Sequence, residues 1–370
     1  MEALILSCGT GGGHDAAGRA LKEELTRRGH HVTMINPYTL KSDRVANRIN
    51  NAYIRIAQRA PRAFGAAYGI ANLYRHLPFH SPVYFANERM VETMRSYLSE
   101  HHYDVVLMPH LFPAEILTNM KEQGLPVPKT IFVATDYTCI PFTEEADCDA
   151  YVIPSEALTP EFVRRGIPQD KLHALGIPVS GRFSSPMTRE EAANSLGLDP
   201  EKRYILISGG SIGAGNVAAV LRTLCRLYEG DQDVRIIAIC GSRTELAERL
   251  REKYGDQVMI LDHTDRMDAY LSLCDMFLTK PGGLSSTEAA VVGVPILHIA
   301  PIPGCETRNV RYFRQNGMDI PVRHPRRTLR RAVGAVENEV VRDCMIRQQH
   351  RCVPVDAAAK ICDLAEQLAG

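Results

Sequence analysis

The sequence predicts an α/β protein built from two parallel-sheet domains in tandem. Short apolar runs alternate with helical segments, the pattern of strands joined by crossover helices. This alternation loosens once, around residues 178–202, and then restarts. Each half opens with a buried strand that runs directly into glycines, GTGGG in the first half and GGSIG in the second. The length of 370 residues fits two domains of about 150–200 residues each.

The predicted elements follow one another in the order that such domains require. In the first half, apolar runs predict strands at residues 3–7, 31–36, 103–108, 130–135 and 149–154. Helices are predicted at 16–28, ended by Gly29, and at about 160–165. In the second half, strands are predicted at 204–208, 234–240, 258–261, 276–279 and 295–299, before an amphipathic helix at about 355–369.

Composition and the positions of glycine and proline indicate the domain boundaries. Glycine, proline, serine and charged residues cluster between the two halves, which indicates a linker. We therefore divide the chain into a first domain (1–180), a linker (181–202), a second domain (203–345) and a C-terminal helical segment (346–370). The last segment is a candidate for packing back on the first domain.

Bulk composition excludes several classes of protein. Lys plus Arg and Asp plus Glu balance at 43 each, so the overall charge indicates no partner, and no nucleic-acid recognition motif is present. The ten cysteines include no C-x-x-C pair, and several lie in apolar runs, which favours buried thiols in a reducing compartment. No signal peptide is recognisable, and no apolar run reaches the roughly 18–20 residues that span a bilayer. We expect a cytoplasmic protein.

The two glycine-rich turns are candidate phosphate sites. Such a turn lets backbone N–H groups approach an anion at the start of a helix. The first turn, GTGGGH, lacks the spacing of a dinucleotide-binding motif, and Asn36 stands where a ribose-binding acid would end the second strand. A strict Walker motif is also absent. From spacing alone, each turn is equally a simple change of chain direction.

The strongest local signal is TKPGGLSSTE at residues 279–288. An apolar strand ends in a Pro-Gly-Gly turn, and a Ser/Thr-rich helix start follows. The N-terminus of this helix is suited to a diphosphate, and Glu288, predicted in its first turn, to both hydroxyls of a ribose. The alternative is that Glu288 only caps the helix or balances its dipole.

Eight motifs, taken in order, resemble one family of glycosyltransferases. They are GTGGGH (9–14), ATDYTCIPF (134–142), YVIPSE (151–156), GIPQDKL (166–172), LGIPVSGRF (175–183), SGGSIGAGN (208–216), TKPGGLSSTEAA (279–290) and PIPGCETRN (301–309). They are similar to motifs of the processive diacylglycerol glucosyltransferases and monogalactosyldiacylglycerol synthases, relatives of the N-acetylglucosaminyl transferase of peptidoglycan synthesis. The resemblance implies the glycosyltransferase-B fold, in which two Rossmann-like domains face each other across a cleft. It also implies an N-terminal acceptor domain, a C-terminal UDP-sugar domain, and inverting transfer.

The resemblance also implies roles for residues of the first domain. His14 is implied as the general base or as a residue that positions the acceptor or a phosphate, and Gly11, Gly12 and Gly13 form the loop before it. An imidazole titrates near neutrality and can accept a hydroxyl proton. Asp136, in the turn after a strand, is a second candidate base, although aspartate is also common in turns.

In the second domain, the charge of the UDP leaving group must be neutralised by a metal or by fixed donors. We interpret the two D-x-D strings, at 147–149 and 231–233, as turn residues, and expect neither a metal nor a cofactor. The expected donor-site residues are Gly210, Ser211, Arg243, Thr264, Lys280, Gly282, Gly283, Leu284, Ser285, Glu288 and Glu306.

Two departures from the family pattern concern the substrates. Family members commonly carry Pro-Gly-Gln-Glu, but here Cys305 replaces the glutamine and only Glu306 remains. The His-x-x-Trp that usually follows Thr-Asp is replaced by CIPF, and the chain has no Trp. The donor sugar, glucose or galactose, is therefore left open.

Residues 38–80 have the composition of a membrane-facing segment. They contain seven Lys/Arg against one Asp, together with six Tyr/Phe. Helical spacing places Val45, Ile49, Ala52 and Ile56 on one stripe and Arg44, Arg48, Arg55 and Arg59 on the next. Such a helix suits an anionic bilayer surface, each basic residue contributing about 1 kcal/mol. The alternative is an ordinary helix with a solvated basic face.

The prediction is therefore a hexosyltransferase that acts from the cytoplasmic membrane surface on a UDP-sugar and diacylglycerol. Two alternatives remain. One is a UDP-N-acetylglucosamine-using transferase or epimerase of the same fold, and the other is a non-catalytic nucleotide-sugar sensor.

Overall fold

The computed structural model describes residues 1–9, 12–77, 79–210, 213 and 217–370, without the side chains of residues 49, 52–54, 57–59, 61 and 62. The chain divides into two units. Unit 1 consists of Met1–Gly181 and Asp356–Gly370, and unit 2 is Arg182–Val355.

Unit 1 contains a six-stranded, all-parallel sheet. Its strands are β1 (Glu2–Leu6), β2 (His31–Ile35), β3 (Val105–Met108), β4 (Lys129–Val133), β5 (Ala150–Val152) and β6 (Leu172–His173). Its helices up to residue 181 are α1 (Gly13–Arg27), α2 (Asp43–Arg59), α3 (Pro61–Tyr74), α4 (Pro82–Glu88), α5 (Val91–Glu100), α6 (Leu111–Glu122) and α7 (Thr159–Arg164). The strand order is β2-β1-β3-β4-β5-β6. Strand β3 is apolar and buried throughout, and so is β1 after its exposed first residue, Glu2, as expected of a parallel sheet covered by helices.

Unit 2 contains a five-stranded parallel sheet. Its helices are α8 (Gly181–Ser184), α9 (Arg189–Leu196), α10 (Val217–Leu227), α11 (Thr244–Tyr254), α12 (Met267–Leu273), α13 (Gly283–Val292), α14 (Cys305–Gln315), α15 (Pro325–Glu337) and α16 (Glu339–Cys352). Its strands are β7 (Arg203–Ser208), β8 (Val234–Ile239), β9 (Val258–Leu261), β10 (Met276–Thr279) and β11 (Ile296–His298). They lie in the order β11-β10-β7-β8-β9, the order of a dinucleotide-binding fold. The predicted fold class, two parallel-sheet α/β domains, is thus confirmed.

Most predicted ends of strands and helices lie within two residues of the observed ends, and the larger differences are the following. Helix α1 begins at Gly13 rather than at residue 16, because Gly12, with φ of 78°, supplies the left-handed entry to the helix. Strand β6 was not predicted, since its two residues carry no apolar pattern. The predicted linker, 181–202, contains α8 and α9, and Arg189 donates hydrogen bonds to the carbonyls of Pro200 (2.8 Å) and Leu273 (2.9 Å) within unit 2.

The predicted C-terminal segment, 346–370, is divided in the structure. Helix α16 lies in unit 2 and ends at Cys352, where Pro354 follows and interrupts the helical backbone. The last helix, α17 (Ala357–Ala369), lies in unit 1 and packs on α1. There the Arg28 guanidinium donates to Asp363 at 2.6 Å and to Glu366 at 3.1 Å.

Candidate active site

The order of the strands in unit 1 reverses between β1 and β3. The chain moves outward from β1 to β2, then returns to the other side of β1 and continues through β3 to β6. Ligands of open α/β sheets bind at the carboxyl ends of the strands at such a reversal. His14 follows β1 and His110 follows β3, so the fold brings two histidines to this position. Their rings meet edge to face, with centroids 4.5 Å apart.

The contacts of His14 define its tautomer. Its Nδ1 lies 2.7 Å from the carbonyl oxygen of Pro109 and 2.9 Å from the Thr135 hydroxyl. A carbonyl oxygen can only accept a hydrogen bond. Nδ1 of His14 must therefore carry a proton and donate it to the Pro109 oxygen. In the neutral ring, Nε2 is then the unprotonated nitrogen. His14 is therefore arranged to accept a proton at Nε2.

The surroundings also hold the two rings in the neutral form. Desolvation lowers the pKa of His14, while the negative charge of Asp136 and, more weakly, that of Asp15 oppose this by raising it. Burial, together with the neighbouring His14, lowers the pKa of His110 well below its ordinary value. His110 also accepts the backbone N–H of Phe112 at Nδ1 (3.1 Å), which caps the start of α6. The site therefore combines a proton acceptor with a second, neutral imidazole.

Asp136, the second candidate base, lines the same small pocket as His14. The pocket's other lining residues come from β4, from the segments that follow β3 and β4, and from α7: Pro109, His110, Leu111, Phe132, Ala134, Thr135, Thr138, Ile140, Thr143 and Phe162. The two candidate bases predicted from sequence thus belong to one site.

The predicted glycine loop reaches this site from β1. Gly12 and Gly13 form the N-cap and first residue of α1, and Gly11 lies outside the described residues. The Ser7 hydroxyl at the end of β1 donates to Asp15 at 2.6 Å, which ties the first turn of the helix to the strand. This contact holds the backbone on both sides of His14.

Unit 2 has its own reversal, between β7 and β10, with glycines and a lysine at the strand ends. Gly210 follows β7 with φ of 70°, a left-handed conformation that favours glycine. A Cβ at Gly210 would lie 2.7 Å from Cε of Lys280, the residue that follows β10. The predicted donor residues Gly210 and Lys280 are therefore in contact, while Ser211 lies outside the described residues.

Two side chains of helix α14 contact Lys280 and the turn that follows it. Nζ of Lys280 lies 2.5 Å from Oε1 of Glu306, and Oε2 of Glu306 accepts the N–H of Ile302 at 2.8 Å. Asn309, one turn further along, donates to the carbonyl of Pro281 at 2.9 Å. Glu306 is thus a partner of Lys280, a link that the sequence did not predict.

The Pro-Gly-Gly turn leads into α13 with Gly282 as N-cap. Gly283, Leu284 and Ser285 form the first turn, whose backbone N–H groups have no acceptor within the helix and are suited to an anion. The prediction that Glu288 lies in the first turn was wrong. The helix starts immediately after the strand, at Gly283, so Glu288 is the sixth residue, in the second turn, and half-buried.

The remaining predicted donor residues lie at the ends of the other strands. Arg243, after β8, packs its side chain against Gly213 and donates to the carbonyl of that residue at 3.5 Å. Thr264 follows β9, the edge strand, and its hydroxyl accepts the N–H of Arg266 at 3.1 Å. These two residues extend the row of strand ends away from Lys280.

The D-x-D strings pair with lysines. Asp147 lies 2.9 Å from Lys171, and Asp149 accepts from the Thr130 backbone at 2.8 Å. In unit 2, Asp233 lies 2.9 Å from Lys202. Within the part of the chain that the structure describes, no group of three His, Cys, Asp or Glu side chains is arranged to hold a metal ion.

The predicted membrane segment is helical and largely exposed. Arg44, Arg48 and Arg55 are exposed on α2, and the side chain of Arg59 lies outside the described residues. Arg75, counted among the basic residues, is instead buried: its Nε donates to Glu144 at 2.6 Å and its Nη2 to the other carboxylate oxygen. No helix among the described residues has both the length and the apolarity of a membrane span.

Sequence reasoning missed His110 and Thr135, which contact or neighbour the candidate base. One signal was available for His110, because it directly follows an apolar strand just as the glycine loop of His14 does. Thr135 appeared only as the end of a predicted strand. Its role depends on a contact between residues 121 positions apart.

Comparisons with known proteins match both halves of the chain. The family model described as monogalactosyldiacylglycerol (MGDG) synthase matches residues 14–179, and the glycosyltransferase family 28 C-terminal domain matches residues 204–360. The processive diacylglycerol beta-glucosyltransferase of Bacillus subtilis (strain 168) is 27% identical over 326 residues, which cover 86% of this chain and 82% of the relative. The enzyme of the same name from Bacillus pumilus is 24% identical, covering 91% of this chain and 87% of the relative.

Solved structures establish the fold. Acinetobacter baumannii MurG has a TM-score of 0.62 at 15% identity and covers 99% of both chains. The UDP-GlcNAc 2-epimerase of Neisseria meningitidis, solved with UDP-GlcNAc, has a TM-score of 0.63 at 12% identity, covering 99% of this chain and 100% of that one. The chain is a glycosyltransferase of the glycosyltransferase-B fold, and it belongs to the family of the diacylglycerol glucosyltransferases and monogalactosyldiacylglycerol synthases.

Proposed function

We propose that this protein transfers a hexosyl group from UDP-glucose or UDP-galactose to diacylglycerol, with inversion at the anomeric carbon. The observation that carries the proposal is the pocket of His14 and Asp136, which lies at the strand reversal of unit 1. This pocket falls in the region that matches the monogalactosyldiacylglycerol synthase model, and the relatives named above are diacylglycerol glucosyltransferases.

His14 is the base in this proposal. The acceptor hydroxyl gives its proton to Nε2 of His14 as its oxygen forms a bond to the anomeric carbon and the bond to UDP breaks. Proton donation from Nδ1 to the Pro109 carbonyl keeps Nε2 unprotonated, and the charge of Asp136 stabilises the imidazolium that forms. Asp136 then acts through His14 rather than as the base itself.

Unit 2 receives the UDP leaving group in this proposal. The first turn of α13 offers backbone N–H groups to the diphosphate, and Lys280 adds a positive charge. Glu288, half-buried on the same helix, is the candidate partner of the ribose hydroxyls. No metal is required by this arrangement, and this remains a prediction for experiment.

A bilayer surface is the proposed site of action, and α2 with α3 is the proposed contact. Arg44, Arg48 and Arg55 are exposed on α2. Large apolar side chains on or just after these helices are also exposed, at 46–73%: Ile56, Ile70, Leu73, Leu77 and Phe79. Basic and apolar groups exposed together favour an anionic lipid surface over bulk water.

The primary test offers the purified protein vesicles of diacylglycerol and phosphatidylglycerol, with UDP-glucose and UDP-galactose supplied separately and EDTA present. Glycolipid from one donor establishes the transfer, identifies the sugar and shows that no added metal is required. UDP-sugar turnover without glycolipid would contradict the proposal and favour the epimerase alternative. Absence of both, with UDP still bound, would favour the sensor.

The membrane contact is tested separately with Ile70→Ser/Leu73→Ser. We expect loss of vesicle flotation and of activity on vesicles, with activity on detergent-dispersed diacylglycerol retained. Val340→Ser is the matched control. Val340 lies on unit 2 and is 71% exposed, close to the 67% of Ile70 and the 73% of Leu73 on unit 1. Unchanged flotation of the double variant would contradict this contact.

A further inference from the structure

Unit 2 contains a buried chain of hydrogen bonds through Ser286, His298 and Asp319. The Ser286 hydroxyl lies 2.9 Å from Nε2 of His298, and Nδ1 of His298 lies 2.7 Å from Oδ2 of Asp319. Ser286 and His298 are 0% and 1% exposed, and the side chain of Asp319 is fully enclosed. The ring of Phe313 packs edge to face on the imidazole, with centroids 5.2 Å apart.

The direction of the hydrogen bonds follows from the donors and acceptors. The Asp319 carboxylate only accepts, so Nδ1 of His298 carries a proton. In the neutral imidazole, Nε2 then accepts from the Ser286 hydroxyl. This is the arrangement of a Ser-His-Asp triad, but the enclosure of Ser286 gives a substrate no route to its oxygen. A nucleophilic role is therefore excluded, and the chain of hydrogen bonds acts on the structure around it.

The three residues come from three elements that surround the donor turn. Ser286 is the fourth residue of α13, one turn after the N-terminus. His298 is the last residue of β11, and Asp319 follows α14. Between His298 and α14 the backbone passes through Ala300, with φ of 42°, a left-handed conformation uncommon for alanine. That strained connection leads directly to Glu306, the partner of Lys280.

We propose that Ser286, His298 and Asp319 form a positioning relay that fixes the first turn of α13 and the β11–α14 connection, so that the turn presents its N–H groups to a nucleoside diphosphate. The inference rests on the proposed function, because it assumes that this turn binds the UDP group. Diphosphate recognition by backbone N–H groups depends on geometry held to about 0.5 Å. A hydrogen bond from Ser286 to the end of β11 restricts rotation and sliding of α13 against its sheet.

The test uses two single variants in the full-length protein. Ser286→Ala removes one hydroxyl without adding bulk, and Asp319→Asn lets an amide N–H donate to Nδ1, which reverses the hydrogen-bond direction along the relay. We expect the Kd for UDP, measured by calorimetry, to rise about three- to tenfold in each. The KM for the UDP-sugar should rise in proportion, with the KM for diacylglycerol unchanged.

Gln349→Met is the matched control. Gln349 is 0% exposed in α16, and its Nε2 donates to the carbonyls of Val294 (3.0 Å) and Met318 (3.1 Å), next to the opposite end of α13 and to Asp319. We expect this variant to lose thermal stability but to bind UDP as the wild type does. Such a result separates positioning of the turn from general loss of packing.

Two outcomes would overturn the inference, and they are distinguishable. If Ser286→Ala and Asp319→Asn lose stability like Gln349→Met but keep the wild-type Kd for UDP, the relay is only structural. If the wild-type protein does not bind UDP at all, the proposed function is wrong, and the relay then has no diphosphate-binding turn to position.

Discussion

The strand reversals of the two units have the same architecture but opposite electrostatics. In unit 1, the imidazoles of His14 and His110 are in contact edge to face. Desolvation lowers the pKa of both, so their neutral forms are favoured. In unit 2, the corresponding strand ends hold Lys280 paired with Glu306 and the N-terminus of α13. The unit 1 site therefore favours neutral imidazoles, whereas the unit 2 site holds a charged lysine beside a helix N-terminus.

This difference shows how one sheet topology supports two parts of a reaction. A proton acceptor must be unprotonated before it can react, and desolvation favours that form by lowering the pKa of His14. A departing diphosphate needs fixed positive charge and N–H donors, which a glycine turn, a lysine and a helix N-terminus provide. The chemistry therefore lies in the residues just after each strand and not in the sheet.

The largest expected effect follows from removing the imidazole of unit 1. His14→Ala should lower turnover about 10²- to 10⁴-fold, because the acceptor hydroxyl loses its proton acceptor. Affinity for UDP, measured by calorimetry, should not change, since the diphosphate contacts are assigned to unit 2. His102→Ala is the control, because the His102 side chain is 82% exposed. Near-normal turnover of His14→Ala would remove His14 as the base.

Burial of a carboxyl group in unit 1 also predicts that the stability of the protein depends on pH. Glu115, in α6, is 0% exposed and accepts from the Asn87 side chain, which in turn accepts from the Tyr38 hydroxyl. Burial raises the pKa of Glu115 to about 8. The unfolded chain ionises at an ordinary carboxyl pKa, so the wild type loses stability as pH rises from that value through 8.

Glu115→Gln should remove this loss. Relative to the wild type, the free energy of unfolding of the variant should increase on the order of 2–3 kcal/mol between pH 5 and 7. Urea unfolding followed by circular dichroism at both pH values measures the difference. Parallel pH dependence of the two proteins would show that Glu115 is ionised in the folded state.

In unit 2, the contact between Gly210 and Lys280 can be tested with a pair of glycine variants. Gly210→Ala places a Cβ 2.7 Å from the lysine side chain, whereas Gly230→Ala, at a similar φ of 82°, meets nothing within 4 Å. Both variants should lose about 1–2 kcal/mol of stability from the left-handed backbone. Only Gly210→Ala should weaken UDP binding, by about tenfold, because it displaces Lys280. Equal UDP affinity in both variants would show that the lysine position is not critical.

Patterns local in sequence predicted the framework and much of the site. Apolar runs placed ten of the eleven described strands, because each parallel strand is buried on both faces and stands out from polar neighbours. His14 and Asp136 were both predicted as candidate bases, and they line one pocket. Residues that directly follow strands are predictable because the fold gathers strand ends at one edge.

Partners distant in sequence could not be predicted. The basic character of Arg75 suggested a membrane contact, yet its side chain pairs with Glu144, 69 residues away. Ser286 resembled one more hydroxyl of a helix start, and its link to His298 and Asp319 depends on how α13 packs on the sheet. Such pairings arise from tertiary packing, which no local pattern encodes.

The smallest expected effect distinguishes the two candidate bases of unit 1. If His14 is the base, activity falls on the acid side as its imidazole becomes protonated. The negative charge of Asp136 raises the pKa of His14, against the larger desolvation effect that lowers it. Asp136→Asn removes that charge, so the pKa of His14 should fall further and the acid limb of kcat/KM should move to lower pH. Turnover above the limb should decrease only modestly.

The measurement is a pH–rate profile of Asp136→Asn beside the wild type and Asp170→Asn, which alters an exposed aspartate of the same unit. A shifted limb with retained turnover assigns the proton to His14 and an electrostatic role to Asp136. Turnover abolished at every pH, with UDP affinity intact, would instead make Asp136 the base. In that case the neutral imidazole of His14 would position the acceptor, and the contrast between the two units would rest on an aspartate rather than on a desolvated histidine.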